Sequence, residues 1–181
     1  MEKSKELDNV RKELESFRDM VIKESRNNLK TMRKDTFGKL SKSLKGNIKV
    51  SKNSFEFDFS MEQYGMYQDK GVSGTKKKYN TPYKYTSKMP PPSALDKWIV
   101  KKGLAPKDKN GKFTGRTVNS VGFRKSIQFL IAKKIYTQGI KPSLFFTKPF
   151  EKYYKRLPNQ LQQKYGLDLD NFMSFTLKDL K

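Results

Sequence analysis

The chain has 181 residues, 40 lysines and arginines against 18 aspartates and glutamates, and a formal net charge of +22. It has no cysteine and no histidine, which excludes disulfides, Cys-type zinc sites and Ser-His-Asp or Cys-His catalysis. Its 34% hydrophobic and 13% aromatic residues suffice for a modest core. We predict an N-terminal helix or arm over residues 1–36, an α+β core domain over 37–150 and a C-terminal arm over 151–181.

The first predicted element is a long amphipathic helix. Val10, Leu14, Phe17 and Val21 recur at spacings of three and four residues, which places them on one helix face. Gly38 is the first glycine of the chain, and we predict that the helix stops there. Two interpretations stay open: the helix lies across a sheet of its own chain, or it is an arm that packs on a neighbouring subunit.

An alternation of phenylalanine with polar residues predicts an antiparallel hairpin over about residues 47–61. Phe55, Phe57 and Phe59 would share one face of the hairpin, and we expect the N-terminal helix to cover that face. A divalent-cation site on the opposite face is conceivable, but a solvated strand face is the favoured interpretation. The carboxylates in question are those of Glu56, Asp58 and Glu62.

The positive charge is concentrated in the middle of the chain. Residues 70–148 carry 19 basic and 2 acidic side chains, which is +17 of the total of +22. A field of this sign attracts nucleic acid or the acidic face of a protein. No apolar run approaches the roughly 20 residues that span a bilayer, and the N-terminus is not a signal peptide. We therefore expect no membrane contact and synthesis in the cytoplasm.

Two long basic loops are predicted in this region, over residues 71–92 and 105–115. The first interleaves lysines with tyrosines, which combines charge for phosphate with surfaces for stacking. An equally weighted interpretation is a solvated loop that becomes ordered only against another protein. The glycines at 71 and 74 lack the spacing of a phosphate-binding loop, so we predict no nucleotide site. The residues expected to contact a polyanion or an acidic partner are Lys76, Lys77, Lys78, Lys84, Lys88, Lys107, Lys109, Lys112 and Arg116.

Helices follow the loops. We predict a short helix capped by Ser93 and ending at Gly103, and a second from about residue 119 to 136 that ends at Gly139 and packs on a sheet. The second helix should turn five apolar side chains inward, namely Phe123, Ile127, Leu130, Ile131 and Ile135. In the tail we expect helical turns broken at Pro158 and a last amphipathic element.

Four stretches of this succession resemble the neck proteins of tailed bacteriophages, of the head–tail joining or tail-completion type. They are residues 64–75, 89–99, 123–136 and 139–146. Their order of glycines, prolines and aromatic residues is most similar to that in neck proteins of crAss-like phages of gut Bacteroidales. The resemblance covers about residues 1–150; the remainder departs from the family pattern, and we assign it to partner contacts. The residues that carry the resemblance are Tyr64, Gly71, Gly74, Thr75, Pro91, Trp98, Gly139, Pro142, Phe145 and Phe146.

The resemblance implies an α+β protomer. This agrees with the fold class predicted from the residues, which has a long N-terminal helix, an antiparallel hairpin or sheet with helices packed on one face, long basic loops and a helical C-terminal arm. Such protomers assemble into a hexameric or dodecameric ring that joins portal to tail and leaves a channel for the genome. The implied partners are further copies, the portal, other neck and tail proteins, and genomic DNA in the channel. The implied location is the virion, after synthesis in the host bacterial cytoplasm.

The resemblance also implies a protein with no catalytic residues, no metal and no cofactor. The alternative function is a non-enzymatic nucleic-acid-binding protein that uses its Lys/Tyr-rich surface. An enzyme ranks third, because the predicted loops lack the converging carboxylates that a two-metal nuclease needs.

Overall fold

The computed structural model describes residues 7–51, 54–104, 110 and 121–179, and at residues 50, 51, 121 and 171–179 it describes the backbone alone. This part of the chain contains helices and one antiparallel hairpin, which confirms the α+β class. The elements are α1 (Asp8–Thr31), α2 (Lys39–Ser43), β1 (Lys45–Ser51), β2 (Ser54–Ser60), α3 (Tyr64–Lys70), a 3₁₀ turn (Pro92–Leu95), α4 (Asp96–Lys101), α5 (Val121–Gln138), α6 (Thr147–Tyr154) and α7 (Leu157–Asp179).

The chain divides into two compact units that are interleaved in sequence. Unit 1 comprises residues 1–32, 39–62 and 145–181, and unit 2 comprises residues 33–38 and 63–144. Helices α1, α6 and α7 and the hairpin therefore belong to unit 1, whereas α3, α4, α5 and the first basic loop belong to unit 2. The division into arm, core and arm that follows from the sequence stays a prediction.

Unit 1 is built around the apolar stripe of α1. Val10, Leu14, Phe17 and Val21 are buried against the hairpin and against α6 and α7. The ring of Phe17 lies 4.9 Å from that of Phe57 between centroids. The N-terminal helix thus covers the aromatic face of the hairpin, as the alternation predicted.

The hairpin and the end of α1 differ in detail from the sequence prediction. The β1–β2 register pairs Ile48 with Phe57 and Val50 with Phe55, and β1 begins two residues earlier than predicted. Helix α1 ends at Thr31, so its predicted stop at Gly38 is wrong. The backbone turns out of the helix at Arg33, where φ is +52°.

The C-terminal helices complete unit 1. The helical turns are interrupted close to Pro158, where a break was predicted, since α6 ends at Tyr154 and α7 begins at Leu157. Pro158 itself lies in the first turn of α7, where a proline ring is tolerated because that turn's N–H groups have no helical partner. Further along α7, the carboxylate of Asp168 accepts hydrogen bonds from the backbone N–H groups of Asn9 and Val10, at 3.1 and 3.0 Å. It therefore caps α1, which has no side-chain cap of its own.

Unit 2 corrects three expectations. Ser93 is not a helix cap: it lies within the 3₁₀ turn, and α4 follows directly with Leu95 at its N-cap and no side-chain cap. Helix α5 packs on the 3₁₀ turn and on α4 rather than on a sheet. Its Leu130, predicted to point inward, is 61% exposed, whereas Ala132 is fully buried. Gly139 follows the helix with φ +72°, which confirms the predicted stop.

Candidate interaction surface

Two distant segments of unit 2 are joined by backbone hydrogen bonds. Val72 and Ile140 exchange N–H···O bonds of 2.9 and 2.8 Å as an antiparallel bridge. The N–H of Thr75 donates to the carbonyl of Tyr136 at 2.9 Å, and that of Lys76 to the carbonyl of Thr137 at 2.9 Å. We call this structure, residues 71–75 against residues 136–142, the glycine clamp.

Glycines are required in the clamp because the two backbones touch. A Cβ on Gly74 would overlap the carbonyl of Thr137, and one on Gly139 would overlap the carbonyl of Val72. A Cβ on Gly71 would collide with the ring of Pro142. A side chain at any of these glycines would force the segments apart.

The clamp contains five of the ten residues on which the family resemblance depends, namely Gly71, Gly74, Thr75, Gly139 and Pro142. The other five lie elsewhere. Tyr64 begins α3, Pro91 precedes the 3₁₀ turn, Trp98 lies in α4, and Phe145 and Phe146 belong to unit 1.

The first basic loop is anchored on a buried serine of the clamp. Ser73, 4% exposed, donates its N–H to the carbonyl of Tyr83 and accepts from the N–H of Tyr85, at 2.8 and 2.9 Å. Its hydroxyl bonds both the carbonyl and the N–H of Tyr79. A loop that looked irregular in sequence is therefore held by its own backbone.

The basic residues of this loop lie on its surface. Lys76, Lys77, Lys78, Lys84 and Lys88 are all exposed. Lys76 and Lys77 lie at the C-terminal end of α5, where the helix dipole favours positive charge. The remaining predicted contact residues lie outside the described part of the chain: Lys107, Lys109, Lys112 and Arg116.

Two tyrosines of the loop, Tyr83 and Tyr85, pack against other rings of unit 2. Tyr83 meets Tyr67 edge to face with centroids 4.7 Å apart, and Tyr85 meets Tyr136 at 6.2 Å. The Tyr136 hydroxyl donates to the carbonyl of Thr86 at 2.7 Å, and burial raises the pKa of Tyr85. These contacts hold the two rings within unit 2, so stacking on bases would compete with the packing of the loop.

Carboxylates do little to neutralise this surface. Over residues 63–104 and 121–144 the described ones are Asp69, which is 1% exposed, and Asp96. Asp96 pairs with Arg124 at 3.2 Å and accepts a hydrogen bond from Gln128 at 2.6 Å. The exposed lysines of unit 2 are thus available to an outside anion.

Helix α5 adds an apolar pair, Phe129 and Leu130, that the sequence pattern did not identify as surface. Phe129 and Leu130 are 49% and 61% exposed, and three exposed lysines, Lys125, Lys133 and Lys134, share their side of the helix. The spacing of four residues from Phe129 to Lys125 and Lys133, and from Leu130 to Lys134, was visible in the sequence. Apolar residues on both sides of the helix nevertheless made either side a candidate core face.

The sequence matches no protein-family model, no curated protein and no solved structure. The features that bear on function are therefore the glycine clamp, the lysines around it and α5.

The conceivable divalent-cation site concerns the carboxylates of the hairpin. Glu56 and Asp58 are exposed on the hairpin, and Glu56 lies 3.6 Å from Lys49 as an ion pair. Within the described residues, no three acidic, histidine or cysteine side chains are grouped to hold a metal ion. None of the helices described is long and apolar enough to cross a membrane.

Proposed function

We propose that the chain is a non-enzymatic structural protein of a tailed-bacteriophage neck, forming a ring that joins portal to tail and leaves a channel for the genome. One observation carries the proposal. Gly71, Gly74, Thr75, Gly139 and Pro142, which support the family resemblance from two separate stretches, meet in one glycine clamp. Their contact gives these residues a common structural role, which supports treating the two stretches as parts of one motif.

The clamp suits a mechanical role. It fixes the basic loop by backbone bonds, while the lysines stay exposed. In a ring, such loops would contact an acidic surface of the portal or of another neck or tail protein, or DNA in the channel. The protein would reside in the virion after synthesis in the bacterial cytoplasm, and it would need no cofactor.

Electron microscopy of the purified chain tests the proposal. We expect closed rings of uniform diameter with a central opening. Gly74→Ala should abolish them by forcing the clamp open, whereas Gly122→Ala should leave them intact because a Cβ there has open space. A wild-type chain that shows only small, ringless particles up to high concentration would contradict the proposal.

A second candidate function is nucleic-acid binding without a ring, and the low carboxylate content around the exposed lysines favours it. Because Tyr83 and Tyr85 are packed, the binding would use phosphates of a duplex rather than stacked bases. Replacing Lys76, Lys77 and Lys78 by glutamine should make the plot of log association constant against log salt concentration less steep, by about 3 in the magnitude of its slope. The matched triple change at Lys97, Lys101 and Lys102, also exposed in unit 2, should leave the slope nearly unchanged.

A further inference from the structure

Helix α5 presents an apolar pair to solvent. Exposed residues recur along it at helical spacing, and we define the α5 outer face as Lys125, Phe129, Leu130, Lys133 and Lys134. Phe129 and Leu130 are 49% and 61% exposed. One lysine lies a turn before this pair and two lie a turn after it.

The opposite side of α5 is what unit 2 uses for its fold. Ala132 is fully buried, Ile127 and Ile131 are half-buried, and Gln128 donates to Asp96 in α4 at 2.6 Å. The helix packs on α4 and on the 3₁₀ turn. Phe129 and Leu130 are therefore not needed for that packing, and the fold of unit 2 does not explain why two large apolar side chains are exposed.

The charge around the apolar pair has one sign. No residue of α5 is acidic, and Lys76 and Lys77 add positive charge at the C-terminal end of the helix. A second copy of the same face would bring lysine against lysine, which is repulsive. Duplex DNA would satisfy the lysines but offers phenylalanine and leucine little apolar surface.

We infer that the α5 outer face docks an acidic protein segment. Apolar side chains of that segment would cover Phe129 and Leu130, and its carboxylates would pair with Lys125, Lys133 and Lys134. An amphipathic helix with leucines at i and i+4 and flanking glutamates has this chemistry. Such a partner would serve a neck ring and a free nucleic-acid binder alike, so this docking surface goes beyond the proposed function.

A designed peptide tests the inference on the full chain. The probe is a fluorescent helical peptide with leucines at i, i+4 and i+7 between glutamates, titrated by anisotropy at low salt, beside a version with lysine for every glutamate. We expect saturable binding of the acidic peptide only. Phe129→Ser with Leu130→Ser should weaken it at least about tenfold, as loss of central apolar anchors does.

Charge reversal gives the matched test. Lys133→Glu with Lys134→Glu should abolish binding of the acidic peptide and allow binding of the lysine peptide. Lys101→Glu with Lys102→Glu, the same change on exposed residues at the end of α4, should leave the affinity for the acidic peptide within about twofold. Because all the replaced side chains are exposed, circular dichroism should show every variant folded.

Four results would overturn the inference. They are failure of the acidic peptide to bind, binding that ignores Phe129 and Leu130, loss of self-association in the Phe129→Ser, Leu130→Ser variant, and duplex DNA or anionic vesicles that bind through this pair. The third would assign the face to a second copy, and the fourth to nucleic acid or a membrane. Ring formation is measured on the same samples without peptide, so failure of the docking surface is distinct from failure of the proposed function.

Discussion

The two units have nearly the same number of residues and the same number of basic side chains, but they differ in acidic content and in the residues that they bury. Unit 1 carries 20 basic and 14 acidic side chains, net +6, whereas unit 2 carries 20 and 4, net +16. Unit 1 buries large apolar side chains such as Leu14 and Phe17. Unit 2 buries small or polar residues at its clamp, among them Gly71, Ser73 and Gly74.

The difference separates two ways of holding a chain together. Side-chain packing stabilises unit 1, and it uses apolar area that is removed from water. Backbone hydrogen bonds between close-approaching segments hold the clamp of unit 2. A surface built on backbone bonds leaves its side chains free for a partner, which fits a strongly basic unit with an interaction role.

The largest effect should come from the core of unit 1. Phe17→Ala removes a ring that contacts Phe57 and Phe150 and is 1% exposed, so unfolding should become easier by about 3–5 kcal/mol. Urea titration followed by circular dichroism measures this loss. Phe55→Ala is the control, since Phe55 is 45% exposed and the change should cost about 1 kcal/mol or less.

The single tryptophan, Trp98, lies in α4 of unit 2, so its fluorescence reports on that unit. If the units are as distinct as their construction indicates, the fluorescence transition of Trp98 should keep its midpoint in Phe17→Ala while the circular dichroism transition moves. Equal shifts of both signals would show that the two units unfold as one cooperative body, which would contradict their separate stabilities.

The next effect should fall on the clamp. Gly74→Ala places a Cβ against the carbonyl of Thr137, and we expect a loss of about 2–4 kcal/mol seen in Trp98 fluorescence. Gly122→Ala, in open space on α5, should stabilise by about 0.5–1 kcal/mol. An unchanged Trp98 transition in Gly74→Ala would mean that the close approach does not hold unit 2.

A smaller effect should come from the cap of α1. Asp168→Ala leaves the N–H groups of Asn9 and Val10 without their acceptor, which should cost about 1–2 kcal/mol. Hydrogen exchange should speed up first at these two amides. Asp170→Ala, an exposed carboxylate on the same helix, should change neither stability nor exchange.

The smallest effect is pH-dependent. Glu24 accepts hydrogen bonds from the ammonium of Lys152 at 2.7 Å and the hydroxyl of Tyr153 at 2.6 Å, which lower its pKa from the ordinary 4.5. The same bonds to Glu24 raise the pKa of Lys152 and of Tyr153. A lowered carboxyl pKa stabilises the fold above the unfolded value, and that contribution is lost as pH falls through the folded value.

Glu24→Gln should therefore lower the melting temperature by about 1–2 °C at neutral pH, with no difference from wild type well below pH 4.5. The difference should also shrink as pH rises past the raised pKa values of Tyr153 and Lys152. Glu13→Gln, the same change on another carboxylate of α1, serves as the control. A difference that stays constant across this range would contradict the assignment.

The sequence predicts unit 1 better than unit 2, for physical reasons. Alternating phenylalanines and the 3–4 spacing of Val10 to Val21 are local patterns, and they predicted the hairpin and its cover. The clamp depends on contacts such as Gly74 with Thr137, which are far apart along the chain and have no local pattern. The cap from Asp168 to α1 is likewise non-local.

Local pattern also misled where both sides of a helix are apolar. Leu130 has the spacing of a core residue, but α5 turns it to solvent. Gly38 was a reasonable helix stop, yet the backbone leaves the helix at Arg33, a residue that gives no such signal. The loop lysines were recognised by composition, while their anchoring on Ser73 was not.

The mass of the purified chain in solution, measured with and without duplex DNA, tests the proposed neck ring most directly. We predict one discrete species near six or twelve times the chain mass of 21.2 kDa, present without DNA and stable to added salt. A chain that stays at 21.2 kDa and forms a salt-sensitive complex with DNA would contradict the ring and leave nucleic-acid binding as the function.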